Sequence, residues 1–365
     1  MKFYHPNQSY QFNRYPPTDN RSLKAWNAGD EYLLQRIEAM KLDEKKIAIY
    51  NDRFGFLSAI LQEYAPYSII QYKSQQKAFE LNFEKNGLAL EKNRLLSPLD
   101  ILPSSIDLVL MKIPKSTELF ELYLRQLLPA LKPESIILAS FMTRHFNKKI
   151  MAVAAQYFDV LEQSKAWKKS RILTLQKKKN TLPEKELIKT IILDKNHDLK
   201  QYLGVFSAHK IDIATQFLLQ HLTIRPAEEK ILDLASGNGV IAYHLRVQKK
   251  DCIVHLLDDD YLAIESTKLN IENENTSFHW ADNMEDVEAA YFDLIVCNPP
   301  FHFEYENTID IALNLFKGAK RCLNDGGRFI VVANLHLNYK THLQRLFTHI
   351  VILAENERFI VYECL

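Results

Sequence analysis

Short apolar runs that read as buried strands alternate with segments whose apolar residues recur at helical spacing, first to about residue 160 and again from Val205 to the C-terminus. That alternation is the signature of α/β units built around a parallel sheet. In "SLKAWNAGDEYLLQRIEAM", Leu23, Trp26, Leu33, Leu34 and Ile37 fall at helical spacing, with Ser22 placed to cap the helix. The stretch "KAWKKSRILTLQKKKNTLPEKELIK" breaks the alternation: it is strongly charged, contains Pro183 and loses apolar periodicity after Leu175. The pattern predicts a flexible N-terminal arm over residues 1–20, one α/β domain over 21–185 and a second over 186–365. Residues 186–203 fit a hairpin leading into the second domain.

The two halves repeat one another. "KIAIYNDRFGFLSAIL" lies on "KILDLASGNGVIAYHL" when Gly55 is matched with Gly239, and "IDLVLMKIPKS" lies on "FDLIVCNPPFH" when Asp107 is matched with Asp293. The apolar frame is shared and the polar positions are not. Ile49 stands where Asp233 is, Arg53 where Gly237 is, and Lys112-Ile113-Pro114-Lys115 where Asn298-Pro299-Pro300-Phe301 is. A duplicated domain whose first copy has lost its chemistry produces this contrast.

The second copy therefore carries the candidate site. A strand ends in Asp233 and passes through a small-residue turn containing Ala235, Gly237 and Gly239 into a helix. Glycine there permits positive φ and lets backbone N–H groups approach a ligand. A second strand ends at Asp258, placed to accept from both hydroxyls of a ribose, and Asp282 follows a third, placed to accept from an adenine amino group. A dinucleotide-binding turn would need a third glycine, which "ASGNGVIAY" lacks, and Asp233 would repel a pyrophosphate. The acid suits a ligand with a positive charge or an amino group; S-adenosylmethionine has both and no phosphate.

The fourth element is "FDLIVCNPPFHFEY". By itself a Pro-Pro pair ends a strand and stiffens a turn, since proline has no N–H to give a sheet. Together with the glycine turn and the two acids it reads as a loop that holds an amino group for methylation. The Asn298 side-chain oxygen and the Pro299 carbonyl supply two acceptors, Pro300 stiffens the loop, and Phe301 stacks on an extruded base.

Composition narrows the class without changing it. The 365 residues hold 47% hydrophobic and 25% charged positions with a net charge of +1, as an ordinary globular protein does. Four scattered cysteines and twelve histidines show no zinc-site or metalloprotease spacing, so no metal is expected. No apolar run reaches membrane-spanning length and the start lacks a signal-peptide core, which leads to a cytoplasmic expectation. Charge is nevertheless uneven. Residues 165–179 contain seven Lys or Arg and no acid, with Trp167 among them. Basic residues interleaved with an aromatic suit phosphate contact and base stacking, so Arg53, Lys112, Lys115, Lys168, Lys169 and Arg171 are expected to bind RNA.

These blocks, with "LKAWNAGDEYLL", "NDRFG", "AWKKSR", "VFSAHKIDIATQFLLQHL", "DLASGNGVI" and "CNPPFH", resemble the ribosomal RNA guanine-N2 methyltransferases of the RsmC/RlmG group over nearly the whole chain from Ser22. The resemblance implies two tandem Rossmann-like methyltransferase domains with a degenerate N-terminal copy. It also implies S-adenosylmethionine as cofactor, and ribosomal RNA as partner, of the large subunit rather than the small. By the same resemblance Phe206 and Ser207 line the cofactor site. The family's glycine turn reads Asp-Leu-Gly-Cys-Gly-Asn-Gly; here Ala235 and Ser236 replace its first Gly and its Cys. Because the duplication already forms a pseudo-dimer, a monomer is expected. A small-subunit rRNA methyltransferase, a protein-glutamine methyltransferase and a non-catalytic RNA-binding assembly factor are the alternatives. The glutamine enzymes normally carry Tyr after Asn-Pro-Pro and a helical N-terminal domain.

Overall fold

A computed structural model describes the chain except residues 6, 7, 19, 21, 180–185, 194–196, 208, 209, 273, 301, 304, 305 and 308. It divides into two compact units, Met1–Leu187 and Ile188–Leu365.

The first unit contains β1 (Lys2–His5), β2 (Gln8–Gln11), α1 (Ala28–Ile37), β3 (Ile47–Tyr50), α2 (Phe56–Ile60), β4 (Tyr67–Ile69) and α3 (Lys73–Lys85). There follow β5 (Leu95–Leu96), β6 (Ile106–Lys112), α4 (Thr117–Leu127), β7 (Leu131–Met142), α5 (Lys148–Tyr157), β8 (Phe158–Gln163) and β9 (Ser170–Lys178). The second contains β10 (Ile188–Ile192), β11 (Asp198–Tyr202), α6 (Ile213–His221), β12 (Lys230–Leu234), α7 (Val240–Gln248), β13 (Ile253–Asp258), α8 (Tyr261–Asn270), β14 (Thr276–Trp280) and β15 (Phe292–Cys297). It continues with β16 (His302–Phe303), β17 (Glu306–Asn307), α9 (Asp310–Cys322), β18 (Leu323–Asn334), α10 (Tyr339–Leu343), β19 (Ile350–Glu355) and β20 (Phe359–Cys364).

Both main sheets have seven strands and one topology. The orders are β5-β4-β3-β6-β7-β9-β8 and β14-β13-β12-β15-β18-β20-β19. In each, the first five strands run parallel, the sixth runs antiparallel to both its neighbours, and the seventh again runs with the first five. The central strands are apolar along their length because both faces are covered, as β3 shows with every residue buried. Finer features repeat as well. Asp107 and Asp293 each accept from the backbone N–H that opens the neighbouring strand, Lys46 and Lys230. Each sheet has a register shift at the matching place, between Ile106 and Leu108 and between Phe292 and Leu294. The repeat read from two pairs of sequence segments is thus a repeat of the whole fold.

Two expectations are corrected. The described residues among the first twenty do not form a loose arm. β1 pairs with β2, Phe12 is fully buried, and its ring packs on Phe56 and Trp26. The Asn82 amide then clamps the backbone of Asn13 from both sides. Polar composition hid an aromatic plug. The first helix also starts later than Ser22. Asn27 caps it, accepting from Gly29 N–H, while the Asp30 carboxylate accepts from Asn27 N–H in a closed capping box. The 186–203 hairpin is present as β10 and β11.

Candidate active site

The chain leaves β12 toward β13 on one side and returns through β15 on the other. In open sheets of this kind ligands bind where the order reverses, beyond the carboxyl ends of the strands. Register puts Leu234 beside Leu257 and Cys297, and Asp258 beside Trp280. The residues that follow, Ala235, Asp258, Asp282 and Asn298, therefore gather at one edge.

The turn after β12 is held open by unusual backbone. Ala235, Gly237 and Gly239 have φ of 61°, 54° and 83°. The two glycines serve different ends. A Cβ on Gly239 would meet the Thr267 side chain of α8 at 3.2 Å, so this glycine lets helix and turn pack closely. A Cβ on Gly237 would meet nothing within 4 Å, so this glycine leaves room for a ligand over the backbone. The β10–β11 hairpin braces the turn from outside. The buried Gln201 accepts from the Asn238 amide at 2.8 Å, and the Asn270 amide donates to Asn238 O at 2.9 Å.

Two acids flank the turn. Asp233 is fully buried, and its Oδ2 accepts from Ala242 N–H of α7 at 3.0 Å. Its Oδ1 has no hydrogen-bond partner among the described residues, and neither does Ser236 Oγ. Burial drives the Asp233 carboxyl well above the usual range, the Ala242 N–H opposes this, and nearby Asp258 adds to the rise. Asp258 receives Gly237 N–H on one oxygen and Asp260 N–H on the other. Burial pushes it up to about 6 against those two donors. A buried acceptor awaiting a donor, open space over a glycine, and paired carboxyls fit the amino group, sulfonium and ribose of S-adenosylmethionine, and disfavour a phosphate.

Asn298 follows β15 and is anchored by α6. Its Nδ2 donates to Asp212 Oδ2 at 3.1 Å and to Thr215 Oγ1 at 2.8 Å. Asp212 is the N-cap of that helix, accepting from Thr215 N–H at 3.0 Å. Pro299 is buried and Pro300 exposed, while Phe301 lies outside the described residues. Phe206 is 64% exposed and Ser207 has φ of 64°. Both lie on the segment between β11, which braces the glycine turn, and α6, which holds Asn298. Sequence reasoning missed Gln201, Asp212, Thr215 and Asn238. Asp212 gave a local signal, an acid opening a helix, but the strand loop it serves is 86 residues away.

The first copy shows the same stations filled. Gly55, matching Gly239, keeps φ of 73° and packs on Phe79 of α3. Arg53, matching Gly237, is buried; its guanidinium bonds Ser74 Oγ at 2.7 Å and lies over the Tyr72 ring. Lys112, matching Asn298, pairs with the buried Asp30 of α1 at 3.2 Å. Register places Ile70 where Asp258 is. The expectation that Arg53 and Lys112 bind RNA is therefore corrected: both charges are turned inward and plug the vanished site.

The other basic residues behave differently. Lys115, Lys168 and Lys169 are exposed and Arg171 half-buried. The Lys168–Lys169 tip bonds Thr143 N–H through Lys169 O, next to the exposed Arg144. Burial lowers the pKa of the neighbouring His145, and the charges of Arg144 and Lys115 lower it further. Lys168 pairs with Glu31 and lies 4.3 Å from the Trp167 ring centre, which in turn meets Tyr32.

Among the described residues no cluster of metal-ligating side chains is present, and no helix is long and apolar enough to cross a membrane.

Comparison with known proteins agrees with this geometry. Residues 1–179 match the family described as the RLMG N-terminal domain, and residues 196–363 the methyltransferase small domain. The ribosomal RNA large subunit methyltransferase G of Yersinia enterocolitica is 32% identical over 363 residues, covering 97% of this chain and 91% of its own. Its Yersinia pestis counterpart is 32% identical over 362 residues with the same coverage. The solved structure of the T. thermophilus 16S rRNA N2 methyltransferase RsmC, in complex with AdoMet and guanosine, shares the fold. Its TM-score is 0.76 at 22% identity, over 100% of this chain and 97% of that one.

Proposed function

The chain belongs to the ribosomal RNA large subunit methyltransferase G family, and from that premise we propose that it methylates the exocyclic N2 of a guanine in large-subunit ribosomal RNA, using S-adenosylmethionine. The contrast between the two copies carries this reading. The packing glycine is kept in both, as Gly55 and Gly239. The ligand-facing Gly237, the acids Asp233 and Asp258, and the amide Asn298 occur only in the second. A chain retained merely as a scaffold would have no reason to spare those four. Relatives named for the large subunit match at 32% over nearly the full length, which outweighs the 22% likeness to a small-subunit enzyme.

S-adenosylmethionine, when bound, supplies an electrophilic methyl group on a sulfonium. Asp233 would hold its amino group, Asp258 its ribose hydroxyls and Asp282 its adenine amine, and the turn through Ala235, Gly237 and Gly239 would leave room for it. The guanine amino group is a poor nucleophile because its lone pair is delocalised into the ring. Asn298 Oδ1 and the Pro299 carbonyl, as two fixed acceptors on its N–H bonds, favour the pyramidal geometry that attack requires. Pro299 and Pro300 keep that loop stiff. The first domain contributes RNA affinity through Lys115, Lys168, Lys169 and Arg171 at the edge where its own site has closed. The protein acts as a monomer in the cytoplasm, where its RNA is made.

The test is transfer of labelled methyl from S-adenosylmethionine to separated large- and small-subunit rRNA, and to the assembled subunits, from cells lacking this protein. Label in large-subunit RNA supports the reading. Label in small-subunit RNA or in a co-purifying protein overturns its substrate, and no label despite cofactor binding overturns its chemistry.

A further inference from the structure

The Asn298 side chain is planar, with an acceptor at one corner and two N–H donors at the other. A rotation of half a turn about its last bond exchanges them, and would point donors at a substrate amino group. Both N–H bonds are already used: one reaches Asp212 Oδ2 at 3.1 Å and the other Thr215 Oγ1 at 2.8 Å. Asp212 when ionised can only accept, so the reversed amide would set oxygen against carboxylate. Thr215 is buried, which removes water as a substitute partner.

We propose that Asp212, seconded by Thr215, is the positioning residue of the methyl-transfer step: it locks the Asn298 amide so that only Oδ1 is presented to the amino group of the base. This rests on the reading of Asn298 given above and adds the residue through which it works. The first copy argues the same way by what it lost. Asn27 caps α1 as Asp212 caps α6, and Asp30 stands at the station of Thr215. There the strand-end residue is Lys112, and the junction has become an ion pair with no acceptor to present.

A capping role alone would also explain an acid at position 212, so the test must separate the two. Ser caps a helix about as well as Asp, but its hydroxyl is too short to reach Asn298. Asn in place of Asp keeps an acceptor oxygen at the same distance. The full chain, Asp212→Ser, Asp212→Asn and Thr215→Val are compared for turnover at saturating RNA and cofactor, for S-adenosylmethionine Kd by calorimetry, and for thermal midpoint. Turnover is followed on whichever acceptor the wild-type chain methylates, so absence of N2-methylguanosine refutes the guanine reading while the variants still decide this one. The expected result is a loss of turnover on the order of 10- to 100-fold in Asp212→Ser and about tenfold in Thr215→Val, with Kd and midpoint unmoved. Asp212→Asn recovers most of what the serine loses. Wild-type turnover in Asp212→Ser overturns the proposal, as does a loss matched by an equal loss of cofactor affinity. Should the serine variant not fold, unchanged turnover in Thr215→Val overturns it alone.

Discussion

Asn51 and Ala235 stand at the same point of two copies of one fold, and both hold the left-handed backbone, with φ of 58° and 61°. Asparagine tolerates that conformation through its short polar side chain; alanine has no such relief. The strain in the catalytic copy therefore sits on Ala235, where the family's turn has glycine. Replacing Ala235 by Gly should raise stability by about 0.5–1 kcal/mol, the release of strain outweighing the entropy glycine adds to the unfolded chain. Urea unfolding of the two proteins checks this, and a glycine variant less stable than the parent would contradict it.

Asp258 sets a pH dependence. Burial holds its carboxyl at about 6, above the ordinary carboxylate range. Below that value it is protonated and offers fewer acceptors to a ribose. S-adenosylmethionine should bind more tightly as pH rises from 5 to 7, while Asp258→Asn should bind weakly and gain less over that range. The stability effect runs the other way. Between the ordinary range and about 6 the folded protein keeps a proton the unfolded chain has released, so this group's contribution to stability declines as pH climbs through that window. Calorimetric titrations at several pH values read the first effect, and an affinity indifferent to pH in the parent would refute it.

Lys112 and Asp30 form a nearly dry pair, with side-chain exposures of 12% and 0%. Lys112→Met should cost about 3–5 kcal/mol at pH 8 by stranding the Asp30 charge. The cost should shrink at acid pH, because Asp30 already sits at about 6, raised by burial against the pull of Lys112, and takes a proton once its partner is gone. RNA affinity should stay as it was. A Met variant with normal stability and weakened RNA binding would restore the surface role that the geometry denies it.

Lys168→Glu combined with Lys169→Glu should weaken RNA binding and flatten its dependence on salt, since each lost phosphate contact removes about one unit of the slope. S-adenosylmethionine affinity should not change. Filter binding across a salt series measures both; an RNA affinity equal to the parent's would exclude this tip from the interface.

The fold, and the gathering of the second copy's candidate residues at one sheet edge, were legible because both are written locally: apolar runs for strands, glycines for the turn, acids at strand ends, Asn-Pro-Pro for the loop. What escaped is non-local. Arg53 and Lys112 look like surface charge until Ser74, Tyr72 and Asp30 are seen to receive them. Residues 1–20 look disordered by composition until Phe12 is found packed against both Phe56 and Trp26. Asp212 reads as a helix cap, and its second partner is set by a sheet that brings Asn298, just after β15, within reach of the start of α6.

The most direct test is nucleoside mass spectrometry of large-subunit rRNA from cells lacking the gene, complemented with the parent or with Asn298→Ala. Restoration of one N2-methylguanosine by the parent and not by the variant is the result the mechanism predicts. Restoration by both would show that the Asn298 amide is not the acceptor on which the reaction depends.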